Sequence, residues 1–151
     1  MTIVVWYLLL ALLAGAWVYC FLTILAARRY LAVRPPALAE PEPVSILKPL
    51  AGLDWGLESN LRTFFEQDYP GPYEILFAVR DSSDPAGEVV GKLQREYPHV
   101  SSRLLVTGEP PYPNAKVFSL DQMLAGASHE LLVMSDSDIR VRPDLLRVVA
   151  A

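Results

Sequence analysis

The chain is poor in the residues that build disulfides, zinc sites and hydrolytic triads. Of 151 residues, one is cysteine and two are histidine. A lone cysteine, Cys20, closes no disulfide within the chain, and there is no Cys/His set with metal-ligand spacing. His99 and His129 both fall at the ends of predicted elements and read as surface residues, so no serine has an imidazole partner and a hydrolytic triad has no support. Neither a G-x-x-x-x-G-K-[ST] loop nor a G-x-G-x-x-G run is present, which removes the usual routes to mononucleotide and dinucleotide binding. Basic residues are also in deficit. The 13 Lys and Arg against 17 Asp and Glu leave a formal net charge of −4, and every acid lies from Glu40 onward. Setting aside Arg28, Arg29 and Arg34 makes the remainder more acidic still. That excludes nucleic-acid binding through a basic face.

Charge of either sign is missing from Ile3 to Ala27, "IVVWYLLLALLAGAWVYCFLTILAA". Much of the chain's 52% hydrophobic content and its mean hydropathy of +0.27 comes from this run. As a helix it would reach roughly 37 Å, enough to cross a hydrocarbon core of about 30 Å with some tilt. A cleaved signal peptide fits less well, because no lysine or arginine precedes the run and the run is too long for a signal core. Residues 3–27 therefore read as a transmembrane anchor, with Cys20 a small packing residue inside it. The arginines that follow predict that the bulk of the chain is cytoplasmic.

Next comes "VRPPALAEPEPVS", with prolines at positions 35, 36, 41 and 43. Such a segment favours extended geometry, so residues 28–43 read as a stiff juxtamembrane spacer. Beyond it, strand and helix patterns alternate. "VSILK" (44–48), "YEILFAV" (73–79), "SRLLVT" (102–107) and "ELLVMS" (130–135) read as strands. Between them, "LESNLRTFFEQ" carries a helical stripe at Leu57, Leu61, Phe64 and Phe65. "DPAGEVVGKLQREYP" predicts a helix with Asp84 at its N-cap and Pro85 in its first turn, and 115–127 a further helix. The order predicts an α/β fold with a mainly parallel sheet and helices on both faces. The chain ends at Ala151 just as another helix begins at "RPDLLRVVAA", so the domain reads as truncated.

In an open α/β sheet, ligands bind outside the carboxyl ends of the strands. Two acidic groups fall there: Asp81 after the second strand, with Asp84 beyond it, and Asp136 and Asp138 after the fourth. If those strands are neighbours, Asp81 and Asp136 face one pocket. A D-x-D turn suits a hard divalent cation such as Mg2+ or Mn2+, which takes carboxylate oxygens and completes its shell with water and phosphate oxygens. By itself the motif is also an ordinary turn, since Asp and Ser are favoured in turns and caps. Asn114 and Lys116 stand at the start of the third helix of this alternating pattern, where free N–H groups and an ammonium can meet a phosphate.

Four stretches in this order, "VSILKPLAGLD", "NLRTFFEQDYPGPYEILFAVRDSSDPA", "YPNAKVFSL" and "MSDSDIRVRPD", resemble the ceramide glucosyltransferase branch of the family-2 glycosyltransferases. The bacterial hopanoid-associated glycosyltransferases are similar. The resemblance runs from about Val44 to about Leu145. It implies a GT-A fold over residues 44–151, a UDP-sugar donor and a lipid acceptor at a membrane. By the same resemblance, Asp81, Asn114, Lys116 and Asp136 bind the nucleotide-sugar, and Asp136 and Asp138 hold the metal. The family's general base and its (Q/R)xxRW motif are expected beyond Ala151, so no catalytic residue is assigned within the chain. An inverting transfer needs that base to take the acceptor hydroxyl's proton. The competing expectation is a non-catalytic, membrane-tethered α/β module. A D-x-D phosphotransferase fits poorly, because that chemistry usually places its acids after the first strand.

Overall fold

A computed structural model of the protein describes residues 2–33 and 40–151. The central part of the proline-rich spacer, with Arg34, Pro35 and Pro36, lies outside the described residues. The chain divides into two compact units, Met1–Pro36 and Ala37–Ala151.

The first unit is a single helix, α1 (Thr2–Ala32). It runs past the apolar stretch and through Arg28 and Arg29, since arginine is a good helix former and nothing before Val33 breaks the pattern. At 31 residues it is long and apolar enough to span a membrane, and none of Ile3–Ala32 is buried against protein. Its polar side chain Thr23 is satisfied within the helix, donating to Tyr19 O at 2.9 Å.

The second unit alternates as its sequence pattern predicts. Its elements are β1 (Val44–Pro49), α2 (Leu57–Phe65), β2 (Tyr73–Val79), α3 (Ala86–Glu96), β3 (Ser101–Val106), α4 (Ala115–Gly126), β4 (Leu131–Met134) and α5 (Leu145–Val149). The four strands form an all-parallel sheet in the order β3-β2-β1-β4. Central strands β1 and β2 are buried on both faces, whereas β3 and β4 are half-exposed edges.

Strand alternation sends Ile46, Ile75, Phe77 and Val79 to one face, where they meet Leu61, Phe64 and Phe65 of α2 and Val90 and Leu93 of α3. Phe65 and Phe77 stack with centroids 5.9 Å apart. Each fully buried side chain of this size contributes about 1.5–3 kcal/mol. Leu47, Leu76 and Ala78 face the other way, onto Met123 of α4. Short α5 completes the larger cluster with buried Leu146, and its backbone docks on the end of α2 through Leu146 N–H to Gln67 Oε1. The helices therefore cover both faces of the sheet.

Asp84 behaves somewhat differently from a simple cap. Pro85 occupies the cap position of α3, and Asp84 Oδ1 accepts from Ala86 N at 2.9 Å. Both carboxylate oxygens of Asp84 also take the Gly52 N–H, at 3.1 and 3.0 Å. Gly52 reaches that contact with φ +67°, a conformation that suits glycine. The loop after β1 is thereby tied to the loop after β2, and both border the carboxyl edge of the sheet.

Candidate functional site

The carboxyl ends of the strands open into a cleft of about 480 Å³. Pro49, Leu50, Ala51 and Asp54 line it from β1 and the loop that follows. Arg80 enters from the end of β2, Ala115, Lys116 and Ser119 from the first turns of α4, and Asp136, Ser137 and Asp138 from the turn after β4.

Parallel strands with short connections bring these segments together, since each strand delivers its following loop to the same edge. Asn114 starts α4 by accepting the Val117 N–H on Oδ1 at 3.1 Å. That cap sets the helix so that Lys116 reaches Asp136, with Nζ 2.5 Å from Oδ1. Across the cleft, Ser137 Oγ donates to Asp54 Oδ2, joining the turn after β4 to the loop after β1. Arg80 pairs with Glu109 at the foot of the proline-rich loop before α4. The cleft thus combines carboxylates at Asp54, Asp136 and Asp138 with cations at Arg80 and Lys116.

The predicted site residues divide in two. Lys116, Asp136 and Asp138 converge on the cleft. Asp81 and Asn114 do not line it. The two strands that carry Asp81 and Asp136 are also not neighbours, because β1 lies between β2 and β4. Arg80 lines the cleft where the sequence expectation has Asp81. The Asp81 carboxylate turns instead to Ser83, accepting from its N–H and its hydroxyl, each at 2.7 Å. Those two bonds, with help from Arg80, hold the exposed Asp81 carboxyl below its ordinary range. The Asn114 side chain is occupied by its cap.

Asp54, Arg80, Ser119 and Lys48 escaped the reading of the sequence. Asp54 stands in the first loop at the carboxyl edge, so the strand-end rule applied to every strand would have found it. Arg80 differs from Asp81 by one residue, which at a strand end selects the other face. Lys48 shares the face of Val44 and Ile46 on a central strand and is fully buried. Burial pulls its pKa down to about 8 against the attraction of Asp136 and Asp138. A lysine in register with a buried apolar face was the available signal.

Chemically, hard carboxylate oxygens suit a divalent cation, and the flanking ammonium and guanidinium suit phosphate. Comparison with known proteins agrees with a fold of this kind. A mannosyltransferase, PcManGT, from Pyrobaculum calidifontis, solved in complex with GDP-Man and Mn2+, superposes with a TM-score of 0.65. It is 24% identical, and the match covers 92% of this chain and 41% of that one. S. aureus TarS 1-349, solved with UDP-GlcNAc, gives 0.51 at 21% identity, over 69% of this chain and 29% of that one. These likenesses establish the GT-A-like fold.

Curated relatives are closer in sequence. Ceramide glucosyltransferase 1 of Caenorhabditis elegans is 38% identical over 109 residues, covering 70% of this chain and 23% of its own. The ceramide glucosyltransferase of Komagataella phaffii is 32% identical over 142 residues, 91% of this chain and 27% of its own. The chain thus spans about a quarter of the length of these relatives. The resemblance seen in the four sequence stretches is borne out: by a family match that runs over residues 7–151, the chain belongs to glycosyl transferase family 21.

Proposed function

We propose that the chain is the donor-binding part of a membrane-anchored, inverting glycosyltransferase that takes a UDP-sugar and serves a lipid hydroxyl, ceramide- or hopanoid-like. The observation that carries this reading is the meeting of Asp136, Asp138 and Lys116 on one cleft at the carboxyl edge of the sheet. Sugar nucleotides in two neighbours of the same fold support the donor class. The ceramide named by the curated relatives supports the acceptor class.

The donor set fits Mg2+ or Mn2+. Asp136 and Asp138 offer carboxylate oxygens, and Asp54 brings another from the facing loop. Among the described residues no three His, Cys, Asp or Glu side chains form a metal cage. An ion of this kind takes the rest of its shell from water and phosphate oxygens. When bound, the cation supplies charge compensation for the departing diphosphate. Lys116 and Arg80 add fixed positive charge beside the same phosphates. Asp81 and Asn114 adjoin lining residues Arg80 and Ala115, and contact with the base and ribose requires Asp81 to exchange Ser83 for the nucleotide. An inverting transfer also needs a base to take the lipid hydroxyl's proton. Residues 3–27 anchor the protein, 28–43 space it from the bilayer, and the arginines keep residues 44–151 cytoplasmic.

Isothermal titration of the full chain in detergent with UDP, with and without Mn2+, tests the reading. Binding that needs the metal and is weakened by about tenfold or more in Asp136→Ala is the expected result. Metal-independent binding, or binding indifferent to Asp136, rejects it.

A further inference from the structure

Lys48 ends the buried row of Val44 and Ile46 on β1, facing α2. It does not line the cleft, yet its ammonium is directed at the turn that does. Nζ donates to the backbone carbonyl of Asp136 and to Ser135 Oγ at 3.2 Å, and lies 3.9 Å from the centroid of the Phe64 ring. The backbone ladder between β1 and β4 stops one residue earlier, with Ser135 N–H on Leu47 O at 3.1 Å. Past that rung the lysine side chain supplies the cross-strand hydrogen bond that the backbone no longer makes. The same Asp136 carbonyl accepts the Ile139 N–H at 3.4 Å and so closes the acidic turn.

We propose that Lys48 is a positioning residue: from beneath the sheet edge it pins the turn at 135–139, so that the Asp136 and Asp138 carboxylates are presented together on the cleft. Its buried charge also attracts both carboxylates and offsets their mutual repulsion. The consequence for ligand binding rests on the donor-binding reading above, and the pinning of the turn does not.

The test uses the full chain in detergent and the variant Lys48→Met, which keeps the stem and removes the ammonium. Hydrogen–deuterium exchange without ligand is expected to quicken by about tenfold or more at amides 135–139, leaving β2 and β3 unchanged. A purely structural role would quicken all strands alike, and unchanged exchange at the turn would overturn the proposal. Affinity for UDP with Mn2+ is expected to weaken by about tenfold, and by clearly less than that when Lys48→Met is added to Asp136→Ala, where only Asp138 is left to position. Additive losses would also overturn it. Should Lys48→Met fail to fold, Ser135→Ala removes one acceptor of the same ammonium and is expected to quicken the turn by about threefold; no change there counts against the proposal. If the native chain binds no UDP with Mn2+, the donor-binding reading falls while the exchange measurement still decides the role of Lys48.

Discussion

Glu74 and Lys48 are both buried, on adjacent strands β2 and β1, at opposite ends of the sheet and on opposite faces. Glu74 is surrounded by donors: Ser45 Oγ at 2.7 Å, Ser128 N–H at 2.6 Å, Ser128 Oγ at 3.2 Å and Arg103 at 2.9 Å. Burial alone would push its carboxyl pKa up. The bonds from Ser128, Ser45 and Arg103 outweigh it and hold the pKa at about 2. Lys48 has fewer partners, and burial wins there. Both pKa values fall, with opposite meanings: the fold favours the charge on Glu74 and resists the charge on Lys48. The amino end of the sheet is a polar knot that joins β1, β2, β3 and the approach to β4. The carboxyl end holds charge in a less comfortable state beside the cleft, as functional edges commonly do.

Removing the knot is the most direct way to break this contrast. Glu74→Ala removes the acceptor that Ser45, Ser128 and Arg103 share and is expected to cost about 1–3 kcal/mol in urea unfolding. Donor binding by the folded fraction is expected to be unchanged. Lowering the pH acts on the same group. Its folded pKa lies below the ordinary value of 4.5, so its contribution is present above pH 4.5 and is lost as the pH falls toward 2. The expected loss is on the order of 3 kcal/mol, read as a drop in unfolding midpoint that Glu74→Ala no longer shows.

Asp136→Ala probes the other end. Its expected signature is the reverse, with Mn2+-dependent UDP affinity down by tenfold or more (about 1.4 kcal/mol or more) and stability within about 0.5 kcal/mol. Asp81→Ala sharpens the boundary of the site. If Asp81 meets the nucleotide only after releasing Ser83, its loss weakens binding by about threefold to tenfold, less than Asp136. Titration of both variants side by side ranks them. The smallest effect belongs to the exposed pair between Lys92 and Glu58. Lys92→Met is expected to leave the urea midpoint within measurement error and to leave binding alone.

Much of the fold was legible because it depends on short-range pattern. The stripe of Leu57, Leu61, Phe64 and Phe65 and the apolar runs at 44–48 and 73–79 each state a local period, and the elements formed within a few residues of it. The boundary misses have local causes too. Arg28 and Arg29 end the apolar run but continue the helix, and Pro85 takes the cap position while Asp84 bonds across to Gly52. At the site, the places of Asp136 and Asp138 at a strand end and of Lys116 at a helix start could be read from the sequence. Arg80 in place of Asp81 could not, because a one-residue phase at the end of β2 lies below the precision of a pattern.

From the order of its residues alone, this protein has an apolar helix long enough to span a bilayer, a parallel α/β unit, and acids gathered at strand ends. These follow from periodicity and composition, which act over a few turns or rungs of chain. Tertiary structure decided that β1 runs between β2 and β4, that Asp54 meets the acidic turn through Ser137, and that Lys48 lies buried with its ammonium on the Asp136 carbonyl. Those outcomes depend on which strands pair and on what fills the space beneath them, and the two side-chain contacts join residues 83 and 88 positions apart that meet only after the sheet has closed.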